Sequence, residues 1–469
     1  MKHIVFGAFR RGLLTASVIA VSTVSAKAEN LADTLVSAYE HSGLLQQNRA
    51  LLRAADEDVA QIVSQLRPII NWTADITQSF GERETNNFQS DLDGTNFSGG
   101  IELSLLLYDF GETPLQIEAA KETVLATRES LRSVEQQVFF RAIQAYMNVL
   151  RNGQFVSVRQ NNVRVLQEEL RAAGDRFEVG EVTRTDVAQA EARLAEAQSG
   201  LSTAEGDYIQ AVEEFRAAVG RAPNNLRQPT SLPKLSGDVE AAKLIAVRSH
   251  PDMLQVRHQV ASADLTLLAA EAAMRPEISL FGALNGTEEI DGSDYSHDGS
   301  VGVRVTGPIY RGGLLSSQKR QAQARRDAER GNLHEVRHEV KRTVGNSYAV
   351  LEAAQASSRS SREQVRAAQV AFDGVQEEAK LGARTTLDVL DAEQDLLDAK
   401  TNLISAETDV YIAAYAVLSS TGQLTADELN LNIQRYDPAA YYNLVKSAPV
   451  KLSPQGKKLD KVLEALGKD

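Results

Sequence analysis

The chain of 469 residues contains no cysteine. Disulfides, thiolate metal ligands, a cysteine nucleophile and a lipid-bearing N-terminal cysteine are therefore excluded, and stability has to come from packing or from assembly. Beyond the first thirty residues no segment approaches the roughly 18 uninterrupted apolar residues of a transmembrane helix, so any entry into a membrane has to be made as a β-barrel. Positive charge is short as well, with a formal net charge of −13. That balance argues against nucleic acid or an anionic lipid surface as the main partner. No G-x-S-x-G, P-loop or dinucleotide fingerprint is present, so no enzyme class is announced and no cofactor is called for.

What is present begins with an export signal. Lys2, Arg10 and Arg11 precede an apolar run from Leu13 to about Val24, and Ala26-Lys27-Ala28 has the form of an A-x-A cleavage site. The run is short and leads into a polar helical pattern, which predicts cleavage after Ala28 and an exported mature chain. Loss of Lys2, Arg10, Arg11 and Lys27, with no acidic residue, moves the net charge from −13 to −17.

The rest of the chain is written twice. Tyr108 to Gly220 aligns without a gap on Tyr310 to Gly422 at an offset of 202, matching Tyr146 with Tyr348, Gly180 with Gly382, Asp186 with Asp388 and Glu191 with Glu393. Upstream, Thr34 to Pro68 aligns on Ala242 to Pro276 at an offset of 208. Two copies of one unit predict internal pseudo-symmetry. The boundaries expected are a first repeat over 29–221, a linker over 222–237, a second repeat over 238–422 and a C-terminal segment and tail over 423–469.

Each repeat reads as helix, strand, strand, helix. A helix of about 35 residues ends at Arg67-Pro68 or Arg275-Pro276, because proline cannot continue it. Strands are expected at about 68–80, 99–109, 276–284 and 299–309. In the first, Ile70, Trp72, Ala74 and Ile76 alternate with Asn71, Thr73, Asp75 and Thr77; in the last, Val301, Val303 and Val305 alternate with Gly302, Arg304 and Thr306. One face is apolar and the other polar, and Trp72, Phe80, Tyr108, Phe110 and Tyr310 flank the strands as membrane-interface aromatics do. The acidic stretches between the paired strands read as solvent-facing loops. Four strands are too few to close a barrel, so several chains have to contribute.

After the strands comes a helical stretch of about 64 residues, roughly 96 Å at 1.5 Å per residue, too long for a compact globule. Its seam (Ile117, Ala120, Val124, Leu131, Val134, Val138) has coiled-coil spacing with small residues. A glycine turn and a second helix of about 35 residues follow, so that each repeat ends in a helical hairpin with its tip at about 176–186 or 378–388. Gly180 and Gly382 provide the backbone freedom for the reversal, and Thr183 or Thr185, and Thr385 or Thr386, are the candidate caps of the returning helices.

The signal peptide, the duplicated unit and the repeated turn around Gly180 to Glu191 and Gly382 to Glu393 together resemble the TolC family of outer-membrane efflux channels, over about residues 30–425. The resemblance implies a homotrimer in which four strands per chain form one twelve-stranded barrel in outer-membrane lipid, continuous with a twelve-helix barrel in the periplasm. It implies a passive export duct of a tripartite drug-efflux or type I secretion system, opened when a periplasmic adaptor and an inner-membrane pump of RND or ABC type dock. Gly180, Val182, Arg184, Gly382 and Thr385 fall at the docking tips. Asp388 and Asp391, three apart and on one helix face, match the acidic constriction, where Gln189 replaces the second acid in the first repeat. Arg384 matches the gate arginine, with Thr185 and Asp186 as its partners on the neighbouring tip. The family's second link uses a tyrosine where this chain has Ala379.

Two other readings are weighed against this one. His334-Glu335-Val336-Arg337-His338 matches the zinc-hydrolase pattern HExxH, but Val336 occupies the apolar seam of a long helix, and a solvated helix face is expected instead of a metal site. A periplasmic coiled-coil adaptor would carry one hairpin and soluble β-domains, whereas this chain has two hairpins joined to membrane-type strands.

Overall fold

The computed structural model describes residues 29–85, 88–91, 93–290, 292–451 and 453–465. The expected signal peptide lies outside the described residues. At the start of the described chain Glu29 is already buried. Its carboxylate accepts from the Thr34 hydroxyl at 2.8 Å, from Arg221 at 2.8 Å and from the Asn224 amide at 3.1 Å.

Where one helix of about 35 residues was expected in each repeat, there are two. In the first repeat α1 (Leu31–His41) is separated from α2 (Gly43–Ser64) by Ser42, whose side chain caps α2 by accepting from the Leu45 amide. In the second, α5 (Val239–Ser249) gives way to α6 (Pro251–Ala272) at His250. The physical reason is local: Pro251 has no amide to donate back into α5, and the residue before a proline is pushed to extended backbone. His250 has that conformation, with ψ of 132°.

Four strands form one antiparallel sheet: β1 (Ile69–Ser79), β4 (Gly94–Tyr108), β5 (Glu277–Glu289) and β6 (Tyr295–Thr306), in that spatial order. The register superposes the apolar faces of all four. Ile70, Leu103, Gly282 and Val301 lie in one cross-strand row, and Trp72, Ile101, Leu284 and Gly299 in the next. The opposite face carries rows such as Asn71, Glu102, Ala283 and Ser300. The apolar face is open, with Trp72 78% and Val301 78% exposed. Both expected loops are corrected: β4, β5 and β6 extend into the stretches read as polar loops, β6 running over Tyr295–Thr306 where about 299–309 was expected, and the first such stretch also contains a small hairpin, β2 (Glu82–Thr85) with β3 (Phe88–Asp91). Polar residues there alternate well enough to pair as strands beyond the apolar band.

The helices α3 (Glu112–Glu178) and α7 (Leu314–Lys380) each run 67 residues, about 100 Å at helical rise. The shorter α4 (Arg184–Val219) and α8 (Thr386–Ser420) return beside them. The α2 and α4 helices flank the two ends of α3, and α6 and α8 stand between α3 and α7. The chain is thus a curtain of helices below a sheet. Its densest core sits at mid-height, where Phe139, Ile143, Tyr146, Met147 and Phe215 are buried against Leu35 and Leu424. The repeat-matched tyrosines pin the linker between the repeats: Tyr146 donates to the Arg227 carbonyl, and Tyr348 to the Ser236 carbonyl at 2.6 Å. The C-terminal helices α9 (Pro438–Val445) and α10 (Pro454–Ala465) follow, and α9 packs on α2. No helix among the described residues is long and apolar enough to cross a membrane.

Candidate functional site

The two hairpin tips are built alike, bond for bond. At the end of α3, the Gly180 amide donates to the Phe177 carbonyl at 3.0 Å and the Glu181 amide to Arg176 at 2.9 Å. At the end of α7, Gly382 donates to Ala379 at 3.0 Å and Ala383 to Glu378 at 2.9 Å. This pair of bonds closes a helix through one left-handed residue, and Gly180 (φ 81°) and Gly382 (φ 77°) take that position without Cβ strain.

Of the candidate caps the structure selects Thr183 and Thr385. Each threonine hydroxyl accepts from the amide of the aspartate three residues on, and that aspartate accepts from the threonine amide: Thr183 to Asp186 at 2.7 Å, and Thr385 to Asp388 at 2.9 Å. These reciprocal bonds satisfy helix-end donors. They also hold the Asp186 and Asp388 carboxyls below the usual carboxylate range, the threonine backbone amide contributing most. Both aspartates are therefore anionic through the physiological range.

The expected site residues separate into those that meet within one chain and those that do not. Asp388 and Asp391 share a face of α8, and Asp391 receives Arg193 of α4 at 2.9 Å. Arg384 donates to Glu378 of its own tip at 2.8 Å. Within one chain the structure does not bring Arg384 to Thr185 or Asp186; Asp186 is taken up by its own cap. Arg184 and Thr185 are exposed on one tip and Arg384 and Thr385 on the other, while Val182 is half-buried. Ala379 is buried against Phe372, Val389 and Leu396.

Three features of the tips were missed. Val179 (72% exposed) and Leu381 (85% exposed) stand immediately before the two glycines, with Phe177 nearby and also exposed. Their signal was an apolar residue at the same place in both repeats, outside the helical seam. Arg193 was missed because its partner is 198 residues away. Above it, Asn162 of α3 donates to the buried Glu393 of α8 at 3.0 Å, and burial pushes the Glu393 carboxyl up.

At the other end of the molecule, where strands pass into helices, the Tyr108 and Phe110 rings lie tilted at 57° with centroids 4.8 Å apart after β4, and Tyr310 is exposed between β6 and α7. Trp72 lies near that border, and Phe80 stands at the far end of the sheet with Tyr295, an aromatic that had been assigned to a loop. His334 and His338 sit exposed on α7 with their Nε2 atoms 3.1 Å apart. No group of three or more metal-ligating side chains is assembled among the described residues.

The family model for outer membrane efflux proteins matches residues 34–221 and 245–423, the two repeats. The outer membrane efflux protein BepC of Brucella suis is 36% identical over 452 residues, 95% of this chain and 97% of that protein. The outer membrane protein TolC of Salmonella enteritidis is 26% identical, over 81% of this chain and 79% of that one. Among solved structures, the CmeC outer membrane channel of Campylobacter jejuni superposes with a TM-score of 0.74 at 16% identity, covering 96% of this chain and 98% of that one. The likeness in fold extends over nearly the whole molecule, and the coiled-coil adaptor reading is left without support.

Proposed function

This chain belongs to the outer membrane efflux protein family, and on that premise we propose that three copies close one barrel and one tunnel, forming a passive duct that a docked pump opens. As an outer membrane efflux channel protein it works in efflux or type I secretion; the trimer, the gate and the docking partners are what the proposal adds.

The observation that carries it is the open sheet. A four-stranded antiparallel sheet with one bare apolar face and two edges, β1 and β6, unpaired among the described residues is unstable alone in water or lipid. Joining β6 of one copy to β1 of the next removes both edges, and three copies give the twelve strands seen in the family. The long helices then line a periplasmic tunnel, with tips at its far end. The repeat boundaries proposed for 29–221 and 238–422, with the linker tied across both, fit this pseudo-sixfold arrangement. Cleavage after Ala28 fits the anchoring of Glu29, the next residue, in the mid-height core.

At the tips, Asp388 supplies a ring of three carboxylates at the constriction, with Asp391 one turn further on. Arg384 links to Thr185 and Asp186 between neighbouring copies, supported by the exposure of Arg384 and Thr185. A closed state held by a few exposed polar links opens when a periplasmic adaptor, recruited with an RND or ABC pump, binds the dilated form better. The bare apolar side chains of Val179 and Leu381, with Val182, Arg184 and Gly180, Gly382 and Thr385, form the surface offered to that adaptor.

Native mass spectrometry of the detergent-extracted protein tests the assembly. A mass of three chains, each starting at Glu29, is expected; a monomer or dimer stable in detergent would overturn the duct.

A further inference from the structure

Arg193 stands where the acidic constriction should be most negative. On α8, Asp388, Asp391 and Asp395 are spaced three and then four apart, one stripe along one helix face. Against the middle of that stripe α4 places the Arg193 guanidinium, 2.9 Å from Asp391 and 3.2 Å from Glu196 on its own helix. A polar cavity of about 340 Å³ adjoins the pair, lined by Arg159, Asn162, Glu393 and Gln394 among others. Here the first repeat meets the second through polar links, Asn162 on Glu393 and Arg193 on Asp391, beside apolar packing of Leu390 of α8 with Leu166, Ala190 and Ala197.

The repeat makes this pair a one-sided feature. The residue matching Arg193 in the second repeat is Asp395, and the residue matching Asp391 in the first is Gln189. The equivalent contact across the other kind of seam, between copies, therefore has no cation to offer. Each chain contributes one arginine to the stripe, and it lands on Asp391.

We propose that Arg193 sets the charge selectivity of the duct: it neutralises Asp391, the middle acid of the stripe, so that a passing ion meets the carboxylates of Asp388 and Asp395 and Asp391 is held in reserve. This rests on the gate reading above, and extends it by assigning the second acid of the constriction a partner. The chemistry recognised is that of small and multivalent cations, whose attraction to the tip grows with each unpaired carboxylate ring. An exposed arginine–carboxylate pair is weakly held, so neutralisation here is an electrostatic matter more than a structural one.

The full-length trimer in planar bilayers decides it, with lanthanum as the probe added on the tip side and reversal potential measured in a potassium chloride gradient. R193Q unmasks three carboxylates, and the expected result is stronger cation preference with lanthanum block tightened about tenfold. The double variant R193Q/D391N removes both charges of the pair and returns to wild-type selectivity, which a merely structural role for Arg193 would not produce. If D388N weakens block while R193Q leaves selectivity and block unchanged, the role of Arg193 is overturned and the carboxylate ring stands. If D388N, D391N and R193Q all leave block unchanged, the ring reading falls, and the Arg193 proposal with it.

Discussion

Asp56 shows how much a single residue can differ from its repeat mate. Asp264, its counterpart, pairs with Arg330 at 2.9 Å on an open surface. Asp56 is fully buried, and neither carboxylate oxygen has a hydrogen-bond partner among the described residues. Burial pushes its carboxyl up to about 6, against the pull of Arg128, the mate of Arg330. The folded state therefore holds a proton more tightly than the unfolded chain, and stability falls as pH rises from about 4 through about 6. Asp56→Asn is expected to stabilise the protein at pH 7.5 by about 1–3 kcal/mol and to be neutral at pH 3.5. Thermal unfolding of the detergent-extracted protein at the two pH values checks this; a destabilised variant at pH 7.5 would show that the charge is satisfied. The alignment of Asp56 on Asp264 was legible in the sequence. The burial was not, because Asp56 lies on the face of α2 where Leu52 and Val59 pack with α3 and with Tyr436 and Tyr442 of the C-terminal segment, which has no second copy.

Among the elements, the hairpin tips were the most legible. A left-handed glycine followed by a threonine and an aspartate three apart is local chemistry, complete within a dozen residues, and both tips obey it. Thr385→Ala removes the cap and is expected to cost about 1 kcal/mol locally, so that the Asp388 amide exchanges about fivefold faster while the core amides of α3 keep their protection. Hydrogen exchange on the intact protein reads both, and unchanged exchange at Asp388 would mean that the cap does not hold the turn. The break at Ser42 was not legible, although its mate at His250 had Pro251 beside it. Ser and Gly are tolerated within helices, and only the packing of α1 on α3 turns that permissive site into a boundary. The strand ends were missed for a related reason: past the apolar band, pairing to a neighbour extends β4 and β5 through polar residues that carry little strand signal of their own.

For the whole molecule, the decisive property is the two-sidedness of the sheet. Leu284, in an interior strand and 65% exposed on the apolar face, is placed against lipid by the proposed barrel, while its neighbour Asn285 faces the lumen beside Asp298. Leu284→Lys is expected to cost about 2–4 kcal/mol per chain in the bilayer and to deplete assembled protein from the outer membrane fraction, whereas Asn285→Lys is tolerated. Equal loss from both would deny the membrane assignment of the face. The curtain of helices alone would not distinguish a duct from a soluble coiled coil. The proposed multi-chain barrel rests on the attachment of two such hairpins to four strands whose outer edges, β1 and β6, are unpaired among the described residues.

Periodicity, punctuation and duplication are local or self-referential signals, and from them the sequence by itself determined the order of the main helices and strands, the pseudo-symmetry, the two faces of the strands and the turns at the tips. The tertiary structure alone decided which copy of a repeated residue is buried, which carboxylate of the tip finds an arginine, and how far the strands continue. Those are contacts between segments some two hundred residues apart or more, and chain order carries no record of them until the helices are packed side by side.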